Sequence, residues 1–375
     1  MTPKSVRFLL AIALIMGVGA PAQVMSEAPP YPIKDSGMPA FQETAIHWLG
    51  SDHLIFWGFK VGPGPRIKPD KQWNRIEQGY YVWDLKGQTV TRDTSFDGVA
   101  RLCVHNRYWS YLRPRLGTEK SWDLMEGERG GEGSRPFPKK YWFNPFSCRY
   151  YDTPPAWVIQ GRETAPLLEE HGYLDWGPSL GTSEPDEYRK NTPIAFHPQG
   201  AQESINLPIG RQQAWRPDIS YAAFKGAYLI PSLRYRDPAT GVVEHVVGPW
   251  PDGKPYPVWL LTPEGQITEL KLPFHRLMRG GSRQFYLTQA GVVVVFHGSG
   301  GKKPYPGEAG GYLFHDEKIT KLIPGLVRNP AISPDGCRIA FIHDPYDTES
   351  MKDRFDRITV KMIDLCQGGA HAGPH

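Results

Sequence analysis

Short apolar runs recur along the chain, and most come in pairs separated by a turn residue. Ala331 to Pro345 reads AISPDGCRIAFIHDP, with Asp335-Gly336 between two apolar strands. Asp-Gly in that position is a strong hairpin signal, because glycine accepts the positive φ that a tight turn needs. The same arrangement puts Gly291 between Tyr286-Leu287 and Val292–Phe296, and Gly226 between Tyr221–Phe224 and Ala227–Ile230. Ser51-Asp52 stands between Ile46–Leu49 and Leu54–Phe59, and Asn106 between Leu102–Val104 and Tyr108–Leu112. A second kind of hairpin follows several of these. It turns at Lys86-Gly87 in YYVWDLKGQTVTRD, at Glu264-Gly265 in VWLLTPEGQITELKL, and near Asp316-Glu317 in GYLFHDEKITKLI.

The order is hairpin, variable loop, hairpin, and it repeats. A four-stranded unit with a period of about 40 to 50 residues plus insertions is the pattern of a propeller blade. One antiparallel sheet cannot bury both of its faces alone, whereas blades stacked around an axis bury them against each other. A continuous run such as Val292-Val293-Val294-Val295-Phe296 suits a strand covered on both sides. The units fall at 44–94, 97–164, 165–210, 214–273, 275–325 and 326–366. The third is the weakest: beyond His171–Trp176 and Ile205–Pro208 little reads as strand, and Ala165–Gly172 is a short helix-like piece at best. The sixth shows three strands, Ala331–Ser333, Arg338–His343 and Ile358–Asp364, so its outer strand is expected from the stretch before Thr44. The fold class is all-β, a β-propeller of four-stranded antiparallel blades. Six blades is the preferred count, with five and seven as the alternatives.

SPDGCRIAF (333–341) is similar to the SPDG-x-x-[IL]-[AV]-[FY] signature of TolB-type, WD-like propeller repeats, and YVWDLKGQTV resembles the strand-turn-strand of a WD-repeat blade. The other units match in pattern alone. The resemblance implies a blade and not a function; activity in such families comes from loops or from other domains.

The chain of 375 residues opens with Lys4 and Arg7, an apolar run from Phe8 to Ala20, and Ala20-Pro21-Ala22, the small-x-small form of a cleavage site. Residues 1–22 therefore read as a secretory signal peptide, which predicts a secreted or periplasmic protein with no membrane span after cleavage. Residues 23–43 would be an N-terminal segment able to close the last blade, 44–366 a single propeller domain and 367–375 a disordered tail. A net charge of +4 is too mild to indicate nucleic acid. The 40 glycines, 37 prolines, 18 tyrosines and 12 tryptophans fit strands joined by turns and long loops. The four cysteines follow the signal and are even in number, so an oxidising compartment predicts disulfides. Cys103 with Cys148 and Cys337 with Cys366, one pair within the second unit and one within the sixth, is the simplest of three pairings. No pair has CxxC spacing and no histidine cluster lies beside them, which argues against zinc.

Candidate chemistry is sparse. The insertions at 61–78, 113–145, 177–193, 234–257, 297–310 and 343–357 mostly join the second and third strands of their units, connections that collect on one face of a propeller. FHGSGGKK is neither a P-loop nor GxSxG, since Phe296 stands where the first P-loop glycine would and His297 lies two residues before Ser299. His47, His53 and His343, with Asp52 and Asp344, flank strand ends that can converge at a channel, and they are the catalytic candidates. Exposed turn histidines are the commoner case, and no nucleophile can be assigned. Arg279 and Arg283 flank a Gly-Gly-Ser turn able to hold an anion, and Trp142 and Trp250 lie in the insertions, so these four are the binding candidates. Asp344, Asp347, Glu349, Asp353 and Asp356 gather oxygen ligands of the kind Ca²⁺ prefers, but Lys352, Arg354 and Arg357 neutralise them, and no cofactor is expected. The expectation is a monomeric exported propeller that binds a protein or polysaccharide through loops on one face. The competing expectation is a hydrolase or lyase acting at the central channel on a glycan or a small ester or lactone.

Overall fold

The computed structural model describes residues 31–41, 44–62, 75–104, 108–114, 122–128, 135–136, 142–144, 149–151, 162–166, 171–178, 192–210, 219–231, 234–236, 243–245, 256–273, 283–297, 309–316, 318–345 and 357–367. Among them lie 28 strands and two 3-10 turns, Thr94–Phe96 and Ala223–Lys225.

After β1 (Ile33–Pro39), the first sheet runs β2 (Ile46–Trp48), β3 (His53–Val61), β4 (Arg75–Asp84) and β5 (Thr89–Asp93). The second holds β6 (Ala100–Val104), β7 (Tyr108–Pro114), β8 (Trp122–Glu128) and β9 (Arg135–Pro136). A separate hairpin, β10 (Trp142–Asn144) with β11 (Arg149–Tyr151), precedes the third sheet. That sheet is β12 (Arg162–Pro166), β13 (Gly172–Pro178), β14 (Pro193–Pro198) and β15 (Ile205–Gly210). The fourth starts with β16 (Ser220–Ala222) and β17 (Ala227–Pro231), then detours through the hairpin β18 (Arg234–Arg236) and β19 (Val243–His245). It resumes with β20 (Tyr256–Leu261) and β21 (Ile267–Leu272). The fifth is β22 (Arg283–Thr288), β23 (Gly291–Phe296), β24 (Gly310–His315) and β25 (Lys318–Pro324). The sixth has β26 (Leu326–Ile332), β27 (Arg338–Asp344) and β28 (Thr359–Asp364), and its outer strand is β1.

The molecule is a six-bladed β-propeller. Every sheet is an antiparallel meander, and the ring is closed by β1, which pairs Ile33 with Ile363 and Pro39 with Thr359 across a bulge. Apolar clusters fill the seams between consecutive blades. Leu54, Phe56, Tyr81 and Trp83 of blade one pack with Ala340, Ile342, Val360 and Met362 of blade six. Val293, Val295 and Leu313 of blade five meet Ile339, Phe341 and Ile363 of blade six. The valine run of β23 thus serves two seams, its odd positions facing blade six and Val292 and Val294 facing blade four. Alternation in a strand sends successive side chains to opposite faces, so an unbroken apolar run is what a blade core requires.

Side-chain hydrogen bonds to backbone carbonyls join neighbouring blades at their first strands. Trp48 Nε1 donates to Ala331 O at 3.0 Å, and Ser220 Oγ to Phe285 O at 2.7 Å. These bonds place the first strands around the centre and the fourth strands at the rim.

Two sequence expectations are corrected. The second unit does not run to 164: its sheet ends at Pro136, residues 142–151 contribute the separate β10–β11 hairpin, and Arg162–Pro166 belongs to blade three. Ala165, Pro166 and Gly172 are therefore strand, not a helix-like piece; 167–170 lies outside the described residues.

Candidate functional site

The meander gives the ring two unlike faces. First-to-second and third-to-fourth strand connections share one face, and none exceeds six residues. All six second-to-third connections open on the other face, at 62–74, 115–121, 179–192, 232–255, 297–309 and 345–358. The latter, the loop face, also carries both extra hairpins, since β18–β19 interrupts the connection of blade four and β10–β11 lies between the fourth strand of blade two and the first of blade three.

The turn face is held by short-range chemistry, best seen at SPDG. Ser333 Oγ donates to Asp335 Oδ1, and that oxygen accepts from Cys337 N at 3.0 Å. Ser333 Oγ in turn accepts from Arg338 N at 2.8 Å. Gly336 sits at φ +74, where its missing Cβ leaves room for the ring of Phe224; an added Cβ would lie 2.5 Å from Phe224 Cδ1. Phe224 belongs to the first turn of blade four, so it reaches past the two-residue turn of blade five to touch blade six. Gln289 in that intervening turn donates its backbone N–H to Gly336 O at 3.0 Å and its side chain to Asp335 O at 2.6 Å.

Asp52 lies in the same face, in an ion-pair relay across the ring closure. Arg338 of blade six bridges Asp364 of its own blade at 3.0 Å and Asp52 of blade one at 3.2 Å, and Lys86 reaches Asp52 at 2.8 Å. The Lys86 ammonium, with Arg338 behind it, holds the Asp52 carboxyl below the usual carboxylate range. His53 is half-exposed, with Nε2 3.9 Å from Asp84.

His47 and His343 sit in blade seams. His47 Nε2 bonds Leu102 O of blade two at 2.9 Å, and burial pushes its pKa down to about 4. His343 lies at the far end of β27 from the Asp335-Gly336 turn, paired with Val327 and Thr359, and its Nε2 bonds Pro324 O of blade five at 2.7 Å. Burial lowers its pKa as well. Asp344 next to it is fully buried. The five catalytic candidates are thus divided between the turn face (Asp52, His53), an inner seam (His47) and the loop-face end of blade six (His343, Asp344).

Sequence reasoning missed three groups that do comparable work. His297 Nε2 bonds Val327 O at 2.6 Å across the seam between blades five and six. His171 Nδ1 meets the Tyr228 hydroxyl at 2.6 Å between blades three and four. Arg338 is the hub of the ring-closing relay. Each lies within three residues of a turn or strand end, but a seam partner more than 18 residues away leaves no local signal.

Of the binding candidates, Arg279 and Trp250 lie outside the described residues, and Arg283 and Trp142 are placed only as strand positions in β22 and β10. Within the acidic loop, 346–356 lies outside the described residues. Cys337 and Cys366 form a disulfide, with an S–S distance of 2.03 Å. Cys103 is also disulfide-bonded; Cys148, its expected partner, lies outside the described residues. No helix among the described residues is long and apolar enough to cross a membrane.

No family model matches this chain, and no curated protein matches it. Among solved structures it is similar to an oligogalacturonate lyase in complex with manganese, at 11% identity and TM-score 0.44, over 90% of this chain and 91% of that one. It is also similar to XC5397, a gluconolactonase from Xanthomonas campestris, at 9% identity and TM-score 0.37, over 88% and 89% of the two chains. A third is the β-propeller domain of the Trilobed protease from Pyrococcus furiosus, at 9% identity and TM-score 0.30, over 80% and 79%. These likenesses carry no chemistry over to this chain.

Proposed function

We propose that this chain is an exported propeller, of the TolB-type, WD-like kind its SPDG turn resembles, that binds a protein or polymer partner through its loop face. The observation that carries the reading is the asymmetry of the ring. Every second-to-third connection is longer than every turn of the opposite face, and both additional hairpins stand on the same side. Loops held by a rigid scaffold are where recognition is built. The segments at issue are rich in aromatic and basic residues, as in KKYWF (139–143) and RYRDP (234–238), a composition suited to stacking and charge-assisted hydrogen bonds. Export is supported by the N-terminal signal pattern and by the Cys337–Cys366 bond, which suits an oxidising compartment. Against an active site at the channel, His47 and His343 spend a ring nitrogen each on a backbone carbonyl of the next blade.

The test is capture from the organism's own envelope fraction and culture medium by the mature protein. A variant with 237–242 replaced by a glycine-serine turn alters the loop face, and Lys225→Glu alters the exposed turn face. The reading expects the first to lose the captured partner and the second to keep it. Equal capture by both variants overturns it, as does turnover in a parallel panel of glycan, ester and lactone substrates without any capture.

A further inference from the structure

His343 and Thr359 are directly opposite one another in the β27–β28 ladder, so their side chains rise from the same face of blade six. That face is the one turned toward blade five, because His343 Nε2 meets Pro324 O there. His343 is 5% exposed and Thr359 7%. A backbone carbonyl only accepts, so the 2.7 Å contact to Pro324 O requires the proton on Nε2 and leaves Nδ1 as a bare lone pair. Among the described residues, Nδ1 of His343 has no hydrogen-bond partner, and neither has the Thr359 hydroxyl. Both are buried polar atoms, and leaving two of them unmatched on one face of a blade is costly. Gly325 packs closely on the ring: a Cβ there would lie 3.2 Å from His343 Nε2 and 2.7 Å from Asp344 O, so the imidazole has little freedom to swing.

We infer that His343 Nδ1 and Thr359 Oγ1 together form a receiving site for a single hydroxyl-bearing guest. The guest donates to the Nδ1 lone pair and exchanges a hydrogen bond with the threonine hydroxyl. Its place in the fold gives the site a consequence, because Thr359 opens β28 and His343 stands one residue before the end of β27, so the pair lies at the roots of connection 345–358 on the loop face. The guest ties those roots together across the ladder. Two sources share this chemistry: a trapped water, which typically makes about three hydrogen bonds when buried, and the hydroxyl of a polyol that enters from the loop face. The inference stands independently of the partner proposed above.

The experiment is a crystal structure at a resolution that orders water, with proton–water cross-relaxation measured by NMR on the labelled full chain. It is run with and without sorbitol, on the wild type, Thr359→Val and Thr359→Ser. The expected result is one oxygen within hydrogen-bond distance of both atoms in the wild type, kept in Thr359→Ser and lost in Thr359→Val. An oxygen present without sorbitol identifies water; one present only with sorbitol identifies an external hydroxyl. Should Thr359→Val not fold, His343→Gln tests the other side, since its amide keeps a donor toward Pro324 O while removing the Nδ1 lone pair. A direct His343–Thr359 hydrogen bond, a metal ion between them, or an oxygen that survives both Thr359→Val and His343→Gln overturns the inference.

Discussion

His47 shows how one side chain can be read two ways. In the sequence it flanks a turn and has Asp52 five residues on, which is the outline of a catalytic pair. In the fold its Nε2 is committed to Leu102 O, and burial holds the ring neutral, with a pKa of about 4. The ordinary value of 6.5 applies to the unfolded chain. A folded-state pKa below the unfolded one means that the stabilisation is fully present above pH 6.5 and is lost as the pH falls toward 4. The shift sets an upper bound of about 3 kcal/mol for this group. His297 and His343 are displaced in the same direction by burial and add to the loss. Urea unfolding at pH 7 and pH 4.5 should show the wild type losing more stability on acidification than His47→Gln. An equal loss in both proteins would mean that His47 does not titrate with folding. Arg338 has the opposite electrostatic character. Asp364 is 5% exposed and lies 3.0 Å from this guanidinium. Arg338→Met strands that carboxylate and should cost about 3 kcal/mol, because an unpaired buried charge is worse than no pair at all. Adding Asp364→Asn should recover part of the loss, and failure of the double variant to do so in a thermodynamic cycle would argue against the pairing energy.

Hairpins were the most legible elements, and the reason is local. Gly226, Gly291 and Gly336 all have positive φ, at 60, 132 and 74 degrees, so turn and residue choice agree. Blade three was poorly legible for an equally local reason. Three of its four strands begin or end in proline, at Pro166, Pro178, Pro193 and Pro198, which lowers strand propensity without forbidding strand ends. Two predictions belong at this scale. Gly336→Ala meets both a backbone strain at φ +74 and the Phe224 ring, and should cost about 1–3 kcal/mol. Phe224→Ala in the same chain removes the ring but not the strain, so thermal melts should show Gly336→Ala costing less in the Phe224→Ala background than in the wild type, though still more than nothing. Reducing Cys337–Cys366, a bond that spans 29 residues, should lower stability by about 3–4 kcal/mol on the chain-entropy estimate. Cys337→Ser/Cys366→Ser measured against the oxidised wild type checks that figure.

At the level of the whole molecule, the ring was readable because it is made of repeats, each carrying a similar pattern. The candidate site was not, because seams join residues far apart in sequence. Trp48 and Ala331 are a case: each reads as ordinary strand, and only closure of the ring brings indole and carbonyl to 3.0 Å. Closure also predicts cooperativity. Deleting residues 31–40 removes β1 and bares the edge of β28, so the truncated chain should self-associate, as unpaired edges do. Size-exclusion chromatography would show it, and a truncated chain that remained monomeric and folded would contradict the role assigned to β1.

That same strand has a history in time as well as a position in space. Chains are made from the N-terminus, so β1 emerges before the other strands, yet its partner β28 follows all of them. Until β28 has been made it is a strand without a sheet. Its composition suits the wait: Lys34, Asp35, Ser36 and Gly37 interrupt any apolar run, and Pro39 withholds one N–H from a stray neighbour. Pairing of β1 can therefore come only after β28 has been made, so the blade that closes the ring joins a strand made before the other five blades to one made after them.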